Sequence, residues 1–447
     1  MTPLLTLLAP GEPMAERGRN VVLIDDQWYA EDLFAKASAP PEAGTGVEAV
    51  ERDGRPGFML SQAQRDSLAA VTSSTARMLF FVSTDTDVKT LMPVAQNCSA
   101  ARFLVHSTTD KSAIDALNAA GVSFDIYRDF KQSRAQWELG VLTNDSGFDR
   151  RTFIADCRRR GIRTVCLQEA VNVDFDGAQM RLRWADIALL QGPHALQYLE
   201  RDLCFLTGNP RFDDYAALPA PEKPLVLINC NFMFGLSYLE RAREWVEHAI
   251  HAAESLDLPY KITVHPRDET NLEGLDHVQP SGPYRVRDQL AQCSVLVSRD
   301  SSLLYEALLL DRHAVYYDPF GEKERCLRED DTGLIEKCTA PEDLRACLEQ
   351  VCNTSPPQRN AERYAHAERF LFTGRDGHCD LRVLRALDTI ARQPEIYATT
   401  DALEQSVFVV WLNRFLHVTL RPRIRSLPWL RALWRFGKQI NMKRAGH

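Results

Sequence analysis

The chain has 447 residues, more than one hydrophobic core usually holds, so two domains are the default. Its composition, 45% hydrophobic and 26% charged, excludes wholesale disorder. The formal net charge of −8 is uneven: Val407 to His447 holds nine Lys or Arg and no acid, leaving 44 bases against 61 acids, net −17, in residues 1–406; this excludes a general nucleic-acid binder and fits a body whose tail meets an anionic surface.

Residues 1–75 open with VVLIDDQWYAEDLF, read as a strand and then a helix, and Pro40 to Pro56 reads as a loop rich in Pro, Gly and acids. From Arg77 the pattern becomes regular. MLFFVS (78–83) is a predicted strand, VKTLMPVAQ a helix, RFLVHS a strand, and KSAIDALNAAG a helix closed by Gly121. FDIYRD, ELGVLTND, RTVCLQE and ADIALLQ follow as short apolar runs, with the helix RRTFIADCRRRG closed by Gly161 among them. Strand–helix alternation of this kind builds a parallel sheet covered by helices on both faces. TGNPRFDDY (207–215) leads into the proline-rich linker ALPAPEKP, and a second alternating series starts at LVLINCN (225–231). It continues through a helix over 236–255, KITVHP, SVLVSRD, the helix SSLLYEALLL, HAVYYDP, the helix EDLRACLEQV and a helical stretch over 357–395. No internal repeat is visible. The expected architecture is α/β: two doubly wound Rossmann-like domains facing across a cleft, 1–216 on the acceptor side and 224–395 on the donor side, followed by a basic helical tail over 396–447.

The eleven Cys are odd in number and form no CxxC pair. Cys166, Cys204, Cys230 and Cys293 sit in apolar runs, so they read as small core residues in a reducing compartment. The apolar start Met1 to Pro10 is short and lacks a basic lead, so it is not read as a secretory signal. With no run of ~18 apolar residues a spanning helix is not expected. The expected location is cytoplasmic, peripheral on the inner membrane. The tail mixes Phe408, Trp411, Phe415, Trp429, Trp434 and Phe436 with arginines, broken by Pro422 and Pro428. Basic and aromatic residues together suit an anionic headgroup layer, the predicted partner of 407–447; the plainer alternative is a helix packed on the body.

Several strand ends carry residues suited to chemistry. In VHPRD, Pro266 stops a strand and leaves His265 and Arg267 at its carboxyl end, where ligands of doubly wound folds bind. They can offset phosphate charge or a departing nucleotide; otherwise His265 is a strand-end histidine bonded to backbone. In SRDSSLLYEA, Ser301 and Ser302 suit a helix start, where N–H groups and the dipole favour an anion. Glu306, one turn in, can take both ribose hydroxyls; capping by Asp300 and the serines is the plainer reading. Asn229 and Asn231 of LINCNFMFG end another strand and can approach a phosphate, or simply make an Asn-rich turn. Asp145 of TNDSG and Glu169 of CLQEA are candidate bases for an acceptor hydroxyl, or loop acids. Asp85-x-Asp87 and Asp174-x-Asp176 are pairs of a kind that can hold Mg²⁺ or Mn²⁺ beside a diphosphate, but the pattern is short and common, and Asp85 and Asp87 stand just before a predicted helix, where acids are expected anyway; no metal is assigned to them. GxGxxG, P-loop, GxSxG and HExxH motifs do not occur, so a dehydrogenase, kinase, lipase or zincin has no support in the sequence.

TGNPRFD, LINCNF, VHP, and SS followed by an apolar helix with Glu occur in an order that resembles bacterial surface-polysaccharide glycosyltransferases of the GT-B fold. Capsule Kdo transferases and the CDP-glycerol glycerophosphotransferases are the nearest groups, and the resemblance spans Arg77 to Val351. It implies transfer of a sugar, or a polyol phosphate, from a nucleotide donor (CMP-, CDP- or UDP-linked) to a lipid-linked or polymeric glycan of capsule, O-antigen or lipopolysaccharide type. It also implies no metal and no cofactor beyond the donor. His265 would contact the donor phosphates, Ser301 and Ser302 would bind phosphate, and Glu306 would bind ribose. The chain departs from the pattern at the end of VCLQEA: many relatives have His-Gly where Glu169-Ala170 stands here. Glu169 then takes the base's task or the scheme differs. Non-hydrolysing UDP-N-acetylglucosamine 2-epimerases share the fold, although SRDSS replaces their DSGG stretch. A non-catalytic scaffold held at the membrane by its tail is a further alternative.

Overall fold

The computed structural model describes residues 70–108, 110–127, 136–169, 171, 182–197, 203–215, 218–219, 221–232, 241–266, 268, 270–299, 301–321, 332–353, 361–371 and 377–392, together with the backbone of five short strands before residue 61. Arg267, Asp300, the pair Asp174 and Asp176, and the basic tail lie outside the described residues. These divide into two compact units. One runs to Asp214 and resumes at Glu368; the other runs from Tyr215 to Ala367.

In the first unit the amino-terminal strands are β1 (Leu5–Thr6), β2 (Asn20–Leu23), β3 (Tyr29–Ala30), β4 (Val47–Arg52) and β5 (Arg55–Leu60). The parallel series follows: β6 (Met78–Val82), α1 (Asp85–Gln96), β7 (Ala101–Val105), α2 (Lys111–Ala119), β8 (Phe124–Ile126), β9 (Leu139–Leu142), α3 (Phe148–Arg159), β10 (Arg163–Leu167), β11 (Ile187–Leu190) and β12 (Leu203–Leu206). The sheet order is β1-β2-β12-β11-β10-β9-β6-β7-β8, parallel throughout except at the β1 edge. Residues 1–75 therefore do two things: β2 extends the main sheet beside β12, while β3, β5 and β4 form a separate antiparallel sheet. Two expectations change here. Val47–Arg52 is a strand and not a loop, because it pairs antiparallel with β5 along its whole length, from Val47 opposite Leu60 to Arg52 opposite Arg55. Tyr29–Ala30 is a strand in place of the start of a helix.

The second unit contains β13 (Val226–Cys230), α4 (Ala242–Glu254), β14 (Tyr260–Val264), β15 (Val278–Pro280), α5 (Val286–Gln292), β16 (Val295–Ser298), α6 (Leu303–Leu309), β17 (His313–Tyr317), β18 (Ile335–Cys338) and α7 (Pro341–Asn353). Its six strands are all parallel in the order β15-β14-β13-β16-β17-β18. The helix α8 (Ala361–Leu371) crosses the residue at which the units divide, and α9 (Cys379–Arg392) follows it.

Both sheets are wound the same way. The chain enters at a central strand, β6 or β13, steps two strands to one side, then returns to the opposite flank at β9 or β16. The point of reversal lies between β6 and β9 in one sheet and between β13 and β16 in the other. The strands read as near-continuous apolar runs because both faces are covered: β6, β9 and β13 are buried at every position. Gly140 in β9 lets the Phe153 ring of α3 lie against the strand, since a Cβ there would stand 2.9 Å from it. In the second unit Trp245 is fully buried and donates its indole N–H to Tyr317 O at 3.0 Å. The buried Arg312 donates to the carbonyls of Leu218, Pro219, Leu290 and Ala291, tying the chain before β13 to the end of α5.

The sequence groups 377–392 with the second domain. In the structure Val383, Leu384, Ala386, Leu387 and Ile390 of α9 are fully buried in the first core. The start of α9 is held by Asp213, whose two oxygens accept from Cys379 N and Asp380 N, each at 2.9 Å.

Candidate functional site

In a doubly wound sheet the loops at the point of reversal leave in opposite directions and open a crevice beyond the carboxyl ends of the strands. In the first unit this point gathers a polar network. After β6, Thr84 caps α1: its Oγ1 accepts from Asp87 N at 3.2 Å, and Asp87 Oδ2 accepts from Thr84 N at 2.9 Å and Ser83 N at 2.8 Å. Across the reversal, Thr143 donates its hydroxyl to Asp87, and Arg150 in the first turn of α3 reaches Asp87 Oδ2 at 3.4 Å. Burial alone would raise the Asp87 carboxyl. The Arg150 guanidinium and the Thr143, Ser83 and Thr84 donors outweigh it and hold Asp87 below its ordinary 3.8. Asp87 is thus a helix cap and counter-ion. Among the described residues no cluster of His, Cys, Asp and Glu could hold a metal ion.

Glu169 follows β10 in the same crevice. Its Oε2 accepts from Asn144 Nδ2 at 3.3 Å. Burial disfavours the charge on Arg150, but Asp87, Glu169 and Asp149 together keep it firmly protonated. Asp145 is placed differently. It is fully buried, and its oxygens accept three backbone N–H groups, from Leu182 at 2.6 Å, Trp184 at 2.7 Å and Ala185 at 3.0 Å. That arrangement anchors the loop before β11 and engages both carboxylate oxygens of Asp145 with backbone donors. His106, at the end of β7, is one residue that sequence reasoning passed over. Its Nε2 lies 3.4 Å from Asp149, its Nδ1 3.7 Å from Asp110, and its ring packs against Phe81 and Tyr127. Beside this group, Asn209 of the TGN motif donates to Gln168 O at 3.0 Å and Gln191 Oε1 at 3.3 Å, locking together the exits of β10, β11 and β12.

The second unit repeats the arrangement with different chemistry. Asn229 in β13 donates to the buried Ser298 Oγ of β16 at 2.9 Å, so its amide bridges the strands at the reversal. Asn231, just past β13, accepts on its carbonyl from Arg299 Nη1 at 2.8 Å, while its buried Oδ1 has no hydrogen-bond partner among the described residues. Arg299 is itself buried and lies over the Phe232 ring at 5.0 Å. His265 stands at the end of β14, partly exposed, with its backbone N–H donating to Cys230 O at 3.0 Å. Asp268 fastens the two exits together, accepting from Phe232 N at 2.6 Å and from Thr270 N at 2.8 Å. Ser301 Oγ accepts from Leu303 N at 3.2 Å, a local cap, and Ser302 opens α6 without a side-chain cap. Glu306 lies one turn in, 4% exposed, with Oε2 accepting from the Tyr215 hydroxyl at 2.8 Å.

The structure therefore brings Asn229, Asn231, Ser301, Ser302 and Glu306 to the carboxyl end of one sheet, and Glu169 to that of the other. Arg150, His106, Arg299 and Tyr215 were missed. His106 and Arg299 each follow an apolar strand directly, the signal that singled out His265. Arg150 carries no such mark, because its role depends on pairing with Asp87, sixty-three residues away.

These features define an α/β two-domain fold of the GT-B type. No family model and no curated protein sequence matches the chain. Solved structures do. One is a Listeria monocytogenes protein assigned as a UDP-N-acetylglucosamine 2-epimerase: 11% identity over 74% of this chain and 100% of that one, TM-score 0.50. Another UDP-N-acetylglucosamine 2-epimerase gives the same values. The glycotransferase of kitacinnamycin matches at 13% identity over 72% of this chain and 98% of that one, with a TM-score of 0.48. At such identities the likeness is one of fold.

Proposed function

We propose that the protein is a nucleotide-sugar enzyme, and specifically a glycosyltransferase that moves a sugar or polyol phosphate from a CMP-, CDP- or UDP-linked donor to a surface glycan. The observation that carries this reading is the polar group at the β13–β16 reversal. Asn231, Arg299, Ser301, Ser302 and Glu306 offer hydrogen bonds, a cation and a carboxylate within one crevice. A nucleotide presents matching phosphates and ribose hydroxyls. His265 and Arg267 would offset charge as the nucleotide departs. In the first unit Glu169, held by Asn144 beside Arg150, would accept the proton of the acceptor hydroxyl. The basic segment 407–447 would hold the enzyme at an anionic membrane, where lipid-linked acceptors lie. Among the described residues no helix is long and apolar enough to cross one.

A second reading, epimerisation of a UDP-sugar at C2, is favoured by the names of the two fold neighbours at TM-score 0.50. One experiment separates the readings. The purified protein is screened by thermal shift against CMP, CDP, UDP, GDP and their sugar conjugates, since a ligand of the folded state must raise the melting temperature. Proton NMR then follows the stabilising conjugate. Conversion of UDP-N-acetylglucosamine to its C2 epimer without acceptor identifies an epimerase. A shift with a sugar nucleotide that is consumed only when a glycan acceptor is added identifies a transferase. A well-folded sample that no nucleotide stabilises sinks both and leaves a scaffold.

A further inference from the structure

The segment before the second unit holds a residue whose placement bears on the ribose. Tyr215 ends the TGNPRFDDY stretch and is 4% exposed. Its hydroxyl donates to Glu306 Oε2 at 2.8 Å, across 91 residues of sequence. Glu306 is in turn fixed at its backbone, where its N–H bonds to Ser302 O at 3.2 Å in the first turn of α6. A glutamate side chain has three rotatable bonds, and its terminal torsion is broad. A buried hydroxyl on one carboxylate oxygen selects one orientation of the plane and is a strong, charge-assisted contact.

Resting on the proposal that Glu306 binds the ribose hydroxyls, we infer that Tyr215 is a positioning residue: its hydrogen bond to Glu306 sets the carboxylate so that the site prefers ribonucleotides over 2′-deoxyribonucleotides. A carboxylate held in one plane meets a ribose diol in one geometry, and a sugar lacking the 2′-hydroxyl forfeits that bond. A carboxylate that can rotate follows either sugar and discriminates less. Because Tyr215 lies directly after the residue at which the units divide, the discrimination is set by the connecting chain and not by the loops of the crevice alone.

The test uses the full chain and isothermal titration with UDP, CDP and CMP, each beside its 2′-deoxy form. Wild type is expected to bind one ribonucleotide about tenfold more tightly than its deoxy form, the lower end of what a hydrogen bond to a charged group supplies. Tyr215→Phe is expected to bring that ratio close to one while the thermal melt stays cooperative. The ratio compares two ligands on one protein, so a general loss of stability does not move it. If Tyr215→Phe prevents folding, Tyr215→Met, which also removes the hydroxyl, is read instead: the ratio must again fall towards one, and an unchanged ratio overturns the inference. An unchanged ratio in Tyr215→Phe, with Glu306→Ala weakening the ribonucleotide, overturns the inference and leaves the donor-site reading standing. Unchanged binding in Glu306→Ala, or no binding of any nucleotide to wild type, overturns both.

Discussion

Asp87 shows how one residue joins two elements. Its carboxylate caps α1, receives Thr143 from the far side of the reversal and neutralises Arg150. Replacing it with Asn would leave a partly buried guanidinium without its nearest counter-charge. We expect Asp87→Asn to cost about 3 kcal/mol by urea denaturation at neutral pH, the scale of a broken buried pair. The pH dependence follows from the sign of the shift. The folded value lies below the ordinary 3.8, so the contribution is complete above that pH and disappears as pH falls through the folded value. The gap between wild type and Asp87→Asn should therefore close in acid. This residue was legible only in part. Its place before a helix marked it as a cap, but Arg150 could not be matched to it from spacing. Asp145 shows the opposite limit: a strand-end acid looks identical in sequence whether it faces the crevice or, as here, three backbone N–H groups.

At the level of elements, close approaches decide what packs where. Gly192, at the exit of β11, lies against the end of α8: a Cβ there would come within 2.5 Å of Arg369 O and of Phe370 backbone atoms. Backbone cannot yield as a flexible side chain can. Gly192→Ala should lower stability by about 3 kcal/mol or shift α8, which a thermal melt and near-UV circular dichroism would detect. The start of α9 carries a second, pH-dependent contact. Burial lifts the Asp213 carboxyl to about 7; the Cys379 and Asp380 donors pull the other way, and the Asp380 charge adds to the rise. A raised value means that the folded chain holds the proton more tightly. The contribution is full below 3.8 and is lost as pH rises through about 7. Urea midpoints measured from pH 4 to 8 should decline through this group in wild type, and Asp213→Asn should flatten that part of the profile. The helices and strands themselves were largely readable, because a parallel sheet covered on both faces demands apolar runs separated by amphipathic helices. Val47–Arg52 escaped notice because antiparallel pairing with β5, and not local apolarity, makes it a strand.

At the level of the whole molecule, α9 is the element whose allegiance matters most. It follows the second unit in sequence and fills the first core with five fully buried side chains. A chain ending at residue 376 should therefore lose cooperative unfolding of the first unit, seen as a broadened melt and a diminished near-UV signal. The second unit, whose core needs none of α9, should keep its own transition. If both transitions survive unchanged, the helix is dispensable and the shared-core account fails. From the sequence alone came the α/β class, the two alternating series and the carboxyl-end positions of Glu169, His265, Ser301 and Glu306, since each rests on local periodicity or on what directly follows a strand. Only the tertiary structure decided the company these residues keep: Arg150 with Asp87, Tyr215 with Glu306, Asp145 with a loop, and α9 with the first core. Those pairings join positions tens to hundreds of residues apart, and a buried charge or apolar face takes whichever partner the completed fold brings within reach.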